Sequence, residues 1–98
     1  MKTVKIIYKK PNEFPAVMEI EDTIENYQDL VGGYIETVSF NDKTLIVCNE
    51  EGKLLGLEPN IIYNGDCIVG PVIFVDYNDD GDFVDCSITL DDFIRCLI

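Results

Sequence analysis

Short runs of alternating polarity, each closed by a turn signal, constrain this chain more than any other feature. Val4, Ile6 and Tyr8 alternate with Lys5, Ile7 and Lys9, the two-residue period of a strand with one solvated face. Pro11 to Pro15 reads as a turn, and Val17 to Glu21 alternates again. The pair predicts an antiparallel hairpin whose lysines face Glu19 and Glu21 across the strands. Asp22 or Thr23 then caps a helix, with Asp22 and Glu25 at capping-box spacing. Ile24, Tyr27, Leu30 and Val31 share one helical face, and Gly32-Gly33 ends the helix.

Tyr34 to Phe40 returns as a strand, Asn41-Asp42-Lys43 turns it, and Thr44 to Asn49 pairs back. Glu51-Gly52 marks another turn. Residues 53–66 hold Pro59, Asn60, Asn64 and Gly65 and predict a loop with at most one short helical turn. Ile68 to Tyr77 is nearly all apolar and reads as one well-buried strand. Pro71 cannot donate to a ladder, so that strand must bulge there or lie at an edge. Asn78 to Gly81 turns the chain into a strand from Phe83 to Ile88. Thr89 caps a last helix, with Asp92 at the box position and an apolar stripe of Leu90, Phe93, Ile94 and Leu97.

The expected fold is therefore α+β. A single small domain spans 1–98, with a mostly antiparallel sheet covered by two short helices at about 23–32 and 89–97. Ninety-eight residues leave no room for a second core. Hydrophobic residues make up 47% of the chain, which sets it apart from disordered sequences. Apolar runs such as Ile68 to Val75 fall far short of the ~20 residues of a membrane helix. The first ten residues carry no long apolar stretch and no small-residue cleavage site, so a cytoplasmic location is expected.

Three segments in the middle of the chain form a further pattern. They are Leu30-Val31-Gly32-Gly33-Tyr34-Ile35-Glu36, Cys48-Asn49-Glu50-Glu51-Gly52-Lys53-Leu54 and Leu57-Glu58-Pro59-Asn60. The pattern resembles a family of small domains of unknown function carried by phages, plasmids and bacteria. The resemblance implies a fold and an association with mobile elements, and it carries over no catalytic role. Its polar residues Asn49, Glu50, Lys53 and Asn60 could line a pocket beside Tyr34 and Glu36. They could equally serve as turn formers.

Charge narrows the choice of partner. The net charge is −12, yet residues 1–10 hold four lysines and no acid. The remainder sets three basic residues against nineteen acids, a local charge of −16. Residues 76–92 alone hold seven aspartates and no base. Such a surface repels nucleic acid and anionic membranes and suits a basic groove on a protein.

Chemistry-bearing constellations are few. Asp76, Asn78 and Asp80 occupy positions 1, 3 and 5 of a calcium-loop pattern, with Gly81 at position 6. Ser87 stands where the bidentate glutamate belongs, and a hairpin turn would use the same residues for conformational reasons. Gly32-Gly33 closes a helix rather than opening one, the wrong end for cradling phosphate. With no histidine there is no Ser-His or Cys-His pair, and no enzyme is expected. Cys48, Cys67, Cys86 and Cys96 form no Cys-x-x-Cys pair and suit a reducing compartment, with no cofactor expected.

Two functions follow as expectations. One is a non-enzymatic interaction or inhibitor protein of mobile-element origin that binds a basic protein surface. The other is a module that binds or sequesters a small ligand, for instance a nucleotide signal. Homo-oligomerisation through the Ile68 to Val75 strand and the last helix is a third property to be examined.

Overall fold

The computed structural model describes residues 2–97. Strand β1 (Thr3–Lys9) pairs antiparallel with β2 (Ala16–Glu21), joining Lys5 to Glu19 and Thr3 to Glu21 in register. Helix α1 (Ile24–Val31) follows, then β3 (Ile35–Ser39) and β4 (Thr44–Asn49), which pair as a second hairpin. Next come β5 (Pro59–Tyr63), β6 (Asp66–Val69), β7 (Val72–Tyr77), β8 (Phe83–Val84) and α2 (Leu90–Leu97). Among the described residues the main sheet runs β2-β1-β7-β4-β3, with β8 added to the end of β7, and every pairing is antiparallel. The α+β class and the two helices thus stand as read from the sequence.

The sheet is covered on both faces, and the alternation of its strands sorts the core in two. Val4, Ile6, Val47, Ile73 and Val75 point to one face, where α1 seals them with Tyr27 and Val31. Ile7, Ile46, Cys48, Val72 and Phe74 point to the other. That face is covered by Ile61 and Ile68 of the β5–β6 hairpin, by Cys86, and by Phe93 of α2. Phe93 meets Phe74 edge to face at 4.8 Å between centroids. β7 lies at the centre of the sheet with Val72 to Val75 fully buried, so its apolar run fills two cores and offers no outer surface to a second copy.

Local chemistry explains the helix ends. Thr23 is the N-cap of α1: its Oγ1 accepts from the Asn26 N–H at 3.3 Å. Asp22 has a different role and accepts the Tyr27 hydroxyl at 2.9 Å. Gly32 takes φ +83°, and the N–H groups of Gly32 and Gly33 both close on the Gln28 carbonyl. Thr89 caps α2 through the Asp92 N–H at 3.1 Å.

The structure corrects the sequence reading in three places. Residues 59–69 are a hairpin, not a loop, and Asn64 (φ 51°) and Gly65 (φ 76°) form its turn. Only residues 51–57 match the expected helical turn, through bonds such as Leu55 N–H to Glu51 O. The apolar run from Ile68 to Tyr77 is two strands in two sheets. Gly70, at φ +76°, turns the chain between them, and a Cβ there would meet Leu57 Cδ1 at 2.7 Å. The strand from Phe83 stops at Val84. Asp85 and Cys86 then switch to β1, bonding the Lys5 N–H and the Lys5 carbonyl at 2.8 Å each, where β1 and β7 part. Neither helix is long and apolar enough to cross a membrane.

Candidate functional site

Four of the six pocket residues expected from the sequence come together. Glu36, Asn49, Glu50 and Lys53 line a cleft of about 290 Å³ between β3, β4, the 50–56 turns and β6. Tyr34 and Asn60 lie outside it. Tyr34 is exposed and flanks a separate hollow at the end of α1, beside Gly33 and Leu55. Asn60 sits across the molecule beside Lys9.

Within the cleft most polar atoms already have partners. Lys53 Nζ bonds Asp66 Oδ1 at 2.8 Å, and both groups are exposed. The hydrogen bond and charge of each group shift the other, raising the ammonium pKa and lowering that of the carboxylate. Water screens a pair in this position, so it adds little to stability. Asn49 is buried and acts as a bracket. Its Nδ2 donates to Val31 O at 3.2 Å, and its Oδ1 accepts the Glu51 N–H at 2.8 Å. It thereby ties the end of α1 to the turn after β4, and Gly33 makes room for it, since a Cβ there would fall 2.9 Å from Nδ2. Cys48, on the cleft wall, is pushed up to about 11 by burial, with Glu36 and Asp66 adding to the shift. A thiol in this state is a weak nucleophile near neutrality.

Asn60 is a second bracket. Its Nδ2 donates to the carbonyls of Lys9 and Gly70, each at 2.8 Å, and its Oδ1 accepts from Lys9 Nζ at 2.6 Å. The side chain ties β5 to β1 and to the turn before β7. Lys9 was not singled out from the sequence, although it repeats the inward phase of Ile7.

The acidic loop divides its candidates. Asp76 is buried and accepts the Thr44 hydroxyl at 2.7 Å. Asn78 Oδ1 accepts the N–H groups of Asp80 and Asp82 at 3.0 Å each, which shapes the β7–β8 turn. Asp80 is exposed. Among the described residues no group of three or more acidic or thiol side chains gathers as a metal site requires.

A central antiparallel sheet, with one helix on one face and a hairpin and helix on the other, makes this a small α+β domain. The chain belongs to the domain of unknown function family DUF3846, whose match covers residues 1–96. No curated protein and no solved structure matches it.

Proposed function

We propose that this chain is a non-enzymatic docking protein that acts in the cytoplasm by occupying a basic groove on another protein. One observation carries the reading. Among the described residues, ion pairs engage only Asp22 (with Lys2) and Asp66 (with Lys53). Asp79, Asp80, Asp82, Asp85, Asp91 and Asp92 are all exposed and form no ion pair. Side chains so placed repel one another in the free protein and gain when a cationic surface meets them. Four free thiols accord with a reducing compartment. The resemblance to mobile-element proteins suits an inhibitor of a host nucleic-acid-binding protein.

The test is binding to a basic peptide at rising salt. Replacing Asp79, Asp80 and Asp82 together by Asn should weaken binding more than removing the same charge at Glu25, Asp29 and Glu50. Added salt to ~0.5 M should abolish the difference. Equal losses from the two triple variants would sink the reading.

A second reading, a small-ligand module, is favoured by the cleft that unites Glu36, Asn49, Glu50 and Lys53. Exposed Glu36 and Lys53 are its proper probes, since Asn49 holds the fold. Their alanine variants should lose ligand binding at an unchanged melting temperature.

A further inference from the structure

Lys9 is 7% exposed, in a chain with nineteen acids, and among the described residues none of those acids pairs with it. Lysine is rarely buried this far without a carboxylate. Its acceptors are neutral: Asn60 Oδ1 at 2.6 Å and the Lys10 carbonyl at 3.4 Å. Because Asn60 spends both N–H groups on backbone carbonyls, its oxygen must face Lys9, and the nitrogen's position is set by that network. An ammonium has three donors, so the third is not used by either acceptor.

Lys9 lines a cleft of about 350 Å³, within the usual range for small-molecule sites of roughly 300–1,000 Å³. Asn12, Glu13, Phe14 and Leu97 complete its wall with Lys9 and Asn60. Leu97 comes from α2, and the turn that supplies Asn12, Glu13 and Phe14 carries two hydrogen bonds. Glu13 N–H bonds Lys10 O at 3.2 Å, and Asn12 Nδ2 bonds Glu58 Oε2 at 2.8 Å. Phe14 is 79% exposed and contributes to neither core. Glu13 also forms no ion pair among the described residues, and its charge acts on Lys9 across the turn. Burial lowers the Lys9 pKa, so the site gains from a carboxylate that restores the favoured charge.

We propose that this cleft binds a free α-amino acid with an apolar side chain. The ligand carboxylate meets Lys9, its ammonium meets Glu13, and its side chain lies against Phe14 and Leu97. A zwitterion fits this protein better than a plain anion. A net charge of −12 opposes an anion at long range but does not act on a neutral ligand as a whole. The site is independent of the acidic docking surface.

The test titrates L-phenylalanine and L-leucine into the full chain and follows the Phe14 ring and Asn60 amide signals by NMR. Comparators are 3-phenylpropionate, which lacks the ammonium, and 2-phenylethylamine, which lacks the carboxylate. Saturable binding of the amino acids is expected, with each comparator about tenfold weaker or worse, as loss of one charge-assisted bond implies. Glu13→Gln, at an exposed position, should weaken phenylalanine by about tenfold with no change in melting temperature. Lys9→Met should abolish binding, and because Lys9 also holds β5, the Glu13 variant keeps the result decisive if that protein fails to fold. Absence of shifts at millimolar ligand, unchanged binding by Glu13→Gln, or equal binding of 3-phenylpropionate would overturn the proposal.

Discussion

The two faces of the sheet are covered in different ways. On one face a single helix, α1, seals Val4, Ile6, Val47, Ile73 and Val75 with Tyr27 and Val31. Tyr27 is fully buried, stacks edge to face on Phe83 at 5.0 Å and reaches back to Asp22. On the other face the β5–β6 hairpin, the Cys86 segment and α2 divide the work. Each contributes one or two buried side chains, and α2 contributes only Phe93. Seams between these pieces hold the Lys9 cleft and the Lys53 cleft. Hollows of about 460 and 420 Å³ also border α1, so open joints occur beside both covers, and the patchwork face differs in the number of separate pieces that seal it.

The largest expected effect comes from breaking the continuous cover. Tyr27→Ala should lower the unfolding free energy by ~3–5 kcal/mol, measured by urea denaturation. Phe93→Ala should cost less in the same experiment, because α2 can detach while the rest stays folded. A cost for Phe93→Ala equal to or above that of Tyr27→Ala would break the comparison.

Next come the two asparagine brackets, one for each face. Asn60→Ala strips partners from the buried Lys9 and Gly70 carbonyls and should cost about 1–3 kcal/mol. It should speed amide exchange in β5 and β6 and leave α1 untouched. Asn49→Ala should do the converse, loosening the end of α1 at Val31. Exchange that rises uniformly in both variants would count against separate covers.

Alkaline pH should separate the faces more gently. Cys48 and Cys86 both belong to the patchwork core, and burial lifts each thiol to about 11 from an ordinary 9.0. The unfolded thiols lose their protons first, so their contribution to stability is complete below pH 9 and falls as pH rises toward 11. The loss should reach roughly 1 kcal/mol per thiol by pH 10. A Cys48→Ala and Cys86→Ala double variant should flatten this part of the pH profile; an unchanged slope would contradict the assignment. Smallest of all is alkylation of exposed Cys96 by iodoacetamide, which should precede that of Cys67, leave the two buried thiols untouched, and cost no stability. Labelling of Cys48 at the rate of Cys96 would show the patchwork face standing open.

The same contrast decides what could be read from the sequence. The α1 face was legible because its signals are local: the Thr23 cap, the buried Tyr27 and Val31 and the glycine stop are close in sequence, although Ile24 of the expected stripe stays exposed. Both flanking hairpins were legible from alternation and their turns, but the face of β1 read as solvated is not, because Ile7 and Lys9 are buried beneath the second cover. Residues 59–69 were not, because Pro59, Asn60 and Asn64-Gly65 outweigh the few apolar positions between them. The run from Ile68 to Tyr77 misled for the opposite reason. Its hydrophobicity is continuous across Gly70-Pro71, yet the two halves face different partners, a fact that only tertiary packing determines. At the candidate site, the sequence singled out Asn49 and Asn60 but not their use as brackets, and only Asn49 lies at the Lys53 cleft. Asn49 and Asn60 hold backbone at separate places, and Lys9 gains importance only because β5 closes over it.

Native-state hydrogen exchange tests the unequal covering most directly. Amides of β5, β6 and α2 should exchange through local openings well below the global unfolding free energy, while those of α1, β1, β4 and β7 exchange only with global unfolding. Equal protection throughout, or α1 opening before the hairpin and α2, would contradict it.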